Sequence, residues 1–329
     1  MRTVQIFDPV HITAILERAG FSSEFTFGEP SNEQRRLQYL HTLASDTRKG
    51  NRDLLLADAA TLIELQRLAT AAPNFQDAIG IVIRAANLSF LTGSPFSLPP
   101  LLLIGPPGVG KSYFARQVAE ALGTPLVAYP MNLADDPGVL VGHSLSWPGS
   151  RAGLLARALI ENSSASPIVF VDEIDKALWN DHGDPLDALH SLLEPENAQS
   201  FVDAYITEVP IRADMVLWIA TANDLSVLKP SLIDRFIVLH VDPPDQHARY
   251  VVLQRLFEQV LSRMKAQLSP TLESKTLILL GEISPRRARL VLDLGIANAV
   301  TVQREYVDPD DFREAVRLVG AGTPRRMGF

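Results

Sequence analysis

The sequence of 329 residues contains no cysteine. That absence excludes disulfides, thiolate metal sites and cysteine nucleophiles together, and it agrees with a reducing compartment. Long apolar runs are also lacking. Nothing approaches the roughly 20 residues that a membrane span requires. At the N-terminus Asp8, His11 and Glu17 interrupt the stretch where a secretory signal would be continuously apolar. Positive charge is scarce: the net charge of −8 argues against a dedicated nucleic-acid surface, because neutralising phosphates needs a basic face. The histidines show no His-x-x-x-His spacing, so no metal site of that kind is expected. A cytoplasmic protein with neither membrane nor nucleic-acid partner is the expectation.

What is present is the composition of a folded domain, with 47% apolar and 21% charged residues. Residues 1–30 are mixed and stop at Gly28–Pro30. From Ser31 to about Ala71, leucines recur every three or four positions (Leu37, Leu40, Leu43, then Leu62, Leu65, Leu68), broken at Lys49-Gly50-Asn51. Two helices are expected there, within a helical N-terminal element spanning 1–76. The pattern then changes. Leu101–Gly105, Leu126–Pro130, Ile168–Asp172, Met215–Thr221 and Phe236–Val241 are short apolar runs. Helical patterns lie between them, among them Lys111–Leu122, Gly153–Glu161 and Pro185–Leu193. Strands apolar on both faces that alternate with helices predict a five-stranded parallel sheet covered on both sides, an α/β domain over 77–244. After Asp242-Pro243-Pro244 only helical patterns follow, at 246–265, 271–281, 285–301 and 309–319, so 245–329 reads as an all-α domain.

The chemistry-bearing residues fall at strand ends. Gly105-Pro106-Pro107-Gly108-Val109-Gly110-Lys111-Ser112 follows a buried strand and opens a helix that begins with Tyr113, the context a P-loop requires. Glycines let backbone N–H groups turn inward around phosphates, and the helix N-terminus adds its positive end. Lys111 is expected to reach the β- and γ-phosphates of ATP, and Ser112 to ligate Mg²⁺. A chance match to this pattern arises in about one chain of this size per hundred. Ile168–Asp172 carries Asp172 to a strand end, where its carboxylate can hold the Mg²⁺ hydration shell. The adjacent Glu173 can polarise a water for attack on the γ-phosphate. Alone, an Asp-Glu pair after a strand reads as a solvated turn; behind a P-loop it is the expected partner.

From about Ala78 to at least Val241 the chain resembles the AAA+ ATPases, and within them the ATPase module of the Lon protease family. The resemblance rests on GPPGVGKS, on VGHS…GS…G at Val141–Gly153 and on VDEIDK at Val171–Lys176. It continues through GDPLDALHSLLEPEN at Gly183–Asn197, FVDAYITEVP at Phe201–Pro210 and IATAND…LIDR at Ile219–Arg235. The helices after Pro244 resemble an AAA+ lid more loosely.

The resemblance implies further roles. Asn223 matches the sensor-1 residue that orients the attacking water, although by itself an Asn after a strand is a turn former. Arg235, after Asp234, matches the arginine finger that acts on a neighbouring subunit's nucleotide; the alternative is a surface salt bridge. Ser284-Pro285-Arg286 matches sensor 2, with Arg286 as the contact and Arg287 and Arg289 as close competitors. Trp147, beside Pro148, falls where the family carries an aromatic pore-loop residue that grips a polypeptide; a Trp tucked into the core is the alternative. A second gripping loop is expected around Trp179 and His182.

The family's serine–lysine protease domain would follow the lid, but the sequence stops at Phe329. A motor without its own protease activity is therefore expected, forming a homo-oligomeric ring, by analogy a hexamer, that acts on a protein substrate or partner. The alternative is a nucleotide-dependent switch or assembly factor that positions a partner without threading it. The substrate is not legible.

Overall fold

In the computed structural model, which describes residues 2–22, 29–131, 136–177, 184–281, 283 and 285–320, the apolar runs become a parallel sheet. Strands β1 (Thr3–Gln5) and β2 (Asn51–Asp53) come first in the chain and pair with each other. The sheet proper contains β3 (Leu101–Ile104), β4 (Leu126–Pro130), β5 (Ile168–Asp172), β8 (Leu217–Ala222) and β9 (Ile237–His240). A small antiparallel pair, β6 (Phe201–Val202) and β7 (Pro210–Ile211), lies between β5 and β8 in sequence. Helices α1 (Pro9–Arg18), α2 (Asn32–Ala44), α3 (Ala59–Ala71) and α4 (Gln76–Thr92) precede the sheet. Helix α5 (Lys111–Leu122), α6 (Gly138–Val141), α7 (Leu154–Glu161), α8 (Leu189–Leu192), α9 (Pro195–Ala198) and α10 (Pro230–Ile233) alternate with its strands. Helices α11 (Gln246–Met264), α12 (Ser274–Gly281), α13 (Pro285–Thr301) and α14 (Pro309–Gly320) follow it.

The spatial order of the sheet is β4-β5-β8-β3-β9, with every pairing parallel. Leu101, Leu102, Leu103 and Ile104 are all buried, as are Ile168 through Val171. Each such side chain contributes about 1.5–3 kcal/mol by leaving water, and burial on both faces is why these strands show no polar alternation. Strand β3 lies centrally, between β8 and β9, and its last residue, Ile104, ends at the carboxyl edge of the sheet, where parallel sheets bind ligands. The register sets Val171 beside Ala220, which brings the next residues, Asp172 and Thr221, to the same edge.

The chain forms two compact units. One comprises Met1–Gln66, Asp77–Ile104 and Ser112–His240; the other comprises Arg67–Gln76, Gly105–Lys111 and Val241–Phe329. In the first, the N-terminal helices share the core of the sheet: Ile12, Ile15 and Leu16 of α1 and Leu37, Leu40 and Leu43 of α2 cluster with Val169, Val171 and Trp218. Asp8 caps α1, accepting a hydrogen bond from the Val10 amide, and Ser31 with Gln34 forms a capping box on α2. In the second unit Leu253, Phe257, Leu280, Val291, Ile296 and Phe312 build a separate helical core.

Two features depart from the sequence reading. The N-terminal element contains the β1–β2 pair, whose three-residue strands, Thr3-Val4-Gln5 and Asn51-Arg52-Asp53, are too short and too polar to show a period of two. The helix expected over Pro185–Leu193 is reduced to Leu189–Leu192, preceded by turns in which Asp184 accepts from the Leu186 amide. Asp held in such a local hydrogen bond competes with helix formation.

Candidate active site

Asp172 ends β5 with its carboxylate held by two hydroxyls. Ser112 Oγ, in the first turn of α5, donates to Oδ1 at 3.0 Å and lies 3.2 Å from Oδ2. Thr221 Oγ1, near the end of β8, donates to Oδ1 at 2.7 Å. The same Thr221 oxygen accepts from the Glu173 amide at 2.9 Å. One buried hydroxyl therefore fixes the side chain of one acidic residue and the backbone of the next. Glu173 itself sits in the left-handed region (φ 56, ψ 51), which turns the chain sharply off the strand. That conformation costs a non-glycine residue about 1–2 kcal/mol, and the Thr221 bond helps to hold it.

The loop Gly105–Lys111 belongs to the other unit. Gly105 has no room for a side chain, because a Cβ there would lie 2.2 Å from the Val241 carbonyl oxygen. Gly108 (φ 85) and Gly110 (φ 101) adopt backbone conformations that favour glycine. Asn74 Nδ2 reaches the carbonyls of Val109 and Asp242, each at 3.4 Å. Lys111 is buried, and its Nζ donates to the carbonyls of Gly105 at 2.6 Å and Pro106 at 3.2 Å. Pro106, Pro107 and Gly108 are exposed, Val109 is buried, and Tyr113 begins the exposed flank of α5. The loop thus excludes a side chain at Gly105, takes positive φ at Gly108 and Gly110, and has the Lys111 ammonium folded against its own carbonyls. The hydroxyl and carboxylate of Ser112 and Asp172 are the hard oxygen donors that Mg²⁺ takes. Taken each by itself, the loop fits phosphate groups and the Ser112–Asp172 oxygens fit a cation.

The other candidates are spread more widely. Asn223 directly follows β8 and is half-buried. Arg235 follows α10 and is tied within its own unit: Nε donates to the His190 carbonyl at 3.0 Å, one terminal nitrogen to the Ser231 carbonyl at 2.6 Å, and the other to Glu194 Oε1 at 2.6 Å. In the single chain Arg235 is thus engaged in a salt bridge. Arg286 lies exposed in the first turn of α13. Ser284, Trp179 and His182 lie outside the described residues.

Trp147, 41% exposed, stands on the loop between α6 and α7 beside the exposed Pro148, so it is not a core residue. The base of this loop is closed by His143, whose amide donates to the Arg151 carbonyl at 3.1 Å. It is also closed by the near contact of two glycines: a Cβ on Gly153 would lie 2.3 Å from the Gly142 nitrogen. Beneath them the fully buried Asp203 accepts from the amides of Gly153 (2.8 Å), Tyr205 (2.9 Å) and Ile206 (3.2 Å). Burial pushes the Asp203 carboxyl above the usual carboxylate range, and the three amides pull against that rise.

Thr221 and Asp203 were not among the residues that the sequence reading singled out. The available signals were a hydroxyl inside the buried run Leu-Trp-Ile-Ala-Thr-Ala and a lone acid after Phe201-Val202.

Residues 101–242 match the model of the AAA family, the ATPase family associated with various cellular activities. The chain is 36% identical over 153 residues to the peroxisomal Lon protease homolog 2 of Eremothecium gossypii, a match covering 44% of this chain and 15% of that protein. It is 36% identical over 144 residues to the Lon protease of Amoebophilus asiaticus, covering 44% of this chain and 17% of that one. The similarity thus spans less than a fifth of these relatives' length. Among solved structures a mutant RuvB of Thermotoga maritima superimposes with a TM-score of 0.50 at 18% identity, covering 74% of this chain and 69% of that chain. At that identity the likeness speaks for the fold alone.

The double role of Thr221 generates a prediction. Thr221→Val keeps the shape but removes the acceptor of the Glu173 amide and one donor to Asp172, so it should lower stability by about 1–3 kcal/mol in denaturant unfolding. Thr221→Ser should recover most of that loss. A Val variant as stable as the parent would show that the hydroxyl does not hold this corner.

Proposed function

We propose that this chain is an ATP-hydrolysing motor, a reading supported by the match of residues 101–242 to the AAA family model and by the Lon proteases among the similar proteins. It works as a homo-oligomeric ring, by analogy of six subunits, and draws a polypeptide past Trp147. The observation that carries the hydrolytic reading is Asp172 gripped by Ser112 and Thr221, with Glu173 turned off the strand end beside it.

In this reading the amides of Gly105–Gly110 receive the phosphates at the start of α5, flanked by Tyr113. Lys111 leaves its loop carbonyls for the β- and γ-phosphates. Ser112 and Asp172 would hold Mg²⁺, the latter through its hydration shell, and the cation would supply neutralisation of phosphate charge. Glu173 accepts a proton from the attacking water. The bond from that water oxygen to the γ-phosphorus forms as the bond to the ADP oxygen breaks, so the products are ADP and inorganic phosphate. Asn223 orients the water. Arg286, in the lid formed by residues 245–329, contacts the γ-phosphate of its own chain. Arg235, released from Glu194, stabilises charge on the neighbouring subunit's nucleotide. The large domain is the sheet region of residues 77–244.

The polypeptide reading rests on Trp147. A half-exposed indole on a loop with a clamped base offers a large apolar face to any extended chain.

Two measurements test the proposal. Glu173→Gln should retain ATP while its turnover falls by about 10²–10⁴-fold; undiminished turnover removes Glu173 from the role of base. Trp147→Ala should abolish the stimulation of turnover by an unfolded polypeptide, expressed as the ratio of stimulated to unstimulated rate. If that ratio survives, the chain is instead a nucleotide-dependent switch or assembly factor.

A further inference from the structure

The Trp147 loop is held from outside as well as from below, and the second holder is the N-terminal element. Asn32, the first residue of α2, donates from Nδ2 to the carbonyls of Leu145 and Trp147, each at 2.8 Å. Its amide orientation follows from its third partner: Oδ1 accepts from Arg35 at 3.1 Å, so the NH₂ group must face the loop. Both N–H bonds of the amide, and its oxygen, are used. The Trp147 carbonyl also accepts from the Ser150 amide at 3.2 Å, while the Trp147 amide donates to the Ser144 carbonyl at 3.0 Å. Two consecutive turns thus meet at the carbonyl of Trp147, and Asn32 bridges that point to the carbonyl two residues before it.

Helix α2 is firm enough to serve as the anchor. Its N-terminus is closed by the Ser31–Gln34 capping box, and its apolar face belongs to the core of the sheet unit. The same element grips the β6–β7 hairpin, which carries the Asp203 clamp. His11 Nε2 bonds the Glu208 carbonyl at 2.8 Å, Arg36 donates to the Thr207 carbonyl at 3.3 Å, and the Arg212 amide donates to the Ile6 carbonyl at 2.8 Å. The N-terminal element therefore touches the loop at its tip and the hairpin beneath its base.

We propose that Asn32 is a positioning residue for Trp147, and that through it the N-terminal element sets the pose in which the loop meets its polypeptide. The tie is independent of what the indole grips; its consequence for a polypeptide rests on the function proposed above. A loop released from Asn32 keeps its base, so its tip becomes free to sample other orientations.

Hydrogen exchange of the full chain, read by mass spectrometry on peptides spanning 143–152, tests the tie directly. Asn32→Ala should speed exchange of the Trp147 and Ser150 amides about thirtyfold, the loss expected for two hydrogen bonds of ordinary net strength. Asn32→Asp, which sets an acceptor against two carbonyls, should speed it further. Peptides covering β3 and β8 serve as the control for folding and should exchange as in the parent. The polypeptide concentration that half-stimulates turnover, measured with reduced and carboxymethylated lactalbumin, should rise at least threefold in both variants. Loop exchange that is unchanged in both variants overturns the tie. Faster loop exchange with an unchanged half-stimulating concentration overturns the claim that the tie sets the engaging pose. Should the parent's turnover not respond to the polypeptide, the threading function fails, while faster loop exchange still upholds the tie.

Discussion

Everything at the carboxyl edge of the sheet depends on how one carboxylate is held. Asp172 leaves a strand buried on both faces, and its oxygens are met by a hydroxyl from α5 and another from β8. Three elements distant in sequence thus converge on one group, and the parallel register of β5 with β8 brings them there. The bond from the Glu173 amide to Thr221 extends that convergence to the next residue, whose left-handed backbone would otherwise be costly. The apolar burial of the strands supplies the stability, and the hydroxyl network uses it to fix a polar corner.

Elsewhere the chain divides its tasks. The glycine-rich loop keeps its shape because Gly105 has a backbone oxygen where a side chain would be and because two further glycines take positive φ. The Trp147 loop keeps its shape through a buried acid under a pair of touching glycines, and through an amide on a neighbouring helix. Arg235 remains in the grip of Glu194, with 28% of its side chain exposed, so any role on another subunit begins by exchanging that exposed pair for a stronger anionic partner.

The sheet was legible in the sequence because buried parallel strands read as continuous apolar runs. Leu126–Pro130 and Ile168–Asp172 coincide with the strands observed, and Lys111–Leu122 with its helix. Such signals are local: a P-loop is written in eight consecutive residues, and an acidic pair in two. What was not legible depends on residues far apart in the chain. Thr221 is an ordinary strand residue until β8 is set beside β5. Asp203 is a turn former until Gly142 and Gly153 close above it. Asn32 is a helix-starting residue until a loop more than a hundred positions away lies against it. Strands β1 and β2, three residues each, have no periodicity to read and exist only through their pairing.

The central claim is that this chain binds and hydrolyses ATP. It is tested most directly by titrating the purified chain with a fluorescent ATP analogue while recording phosphate release with and without Mg²⁺. Saturable binding and phosphate release that requires the cation are expected, with both lost in Lys111→Ala. No binding by the parent chain, or binding that Lys111→Ala leaves intact, would contradict it.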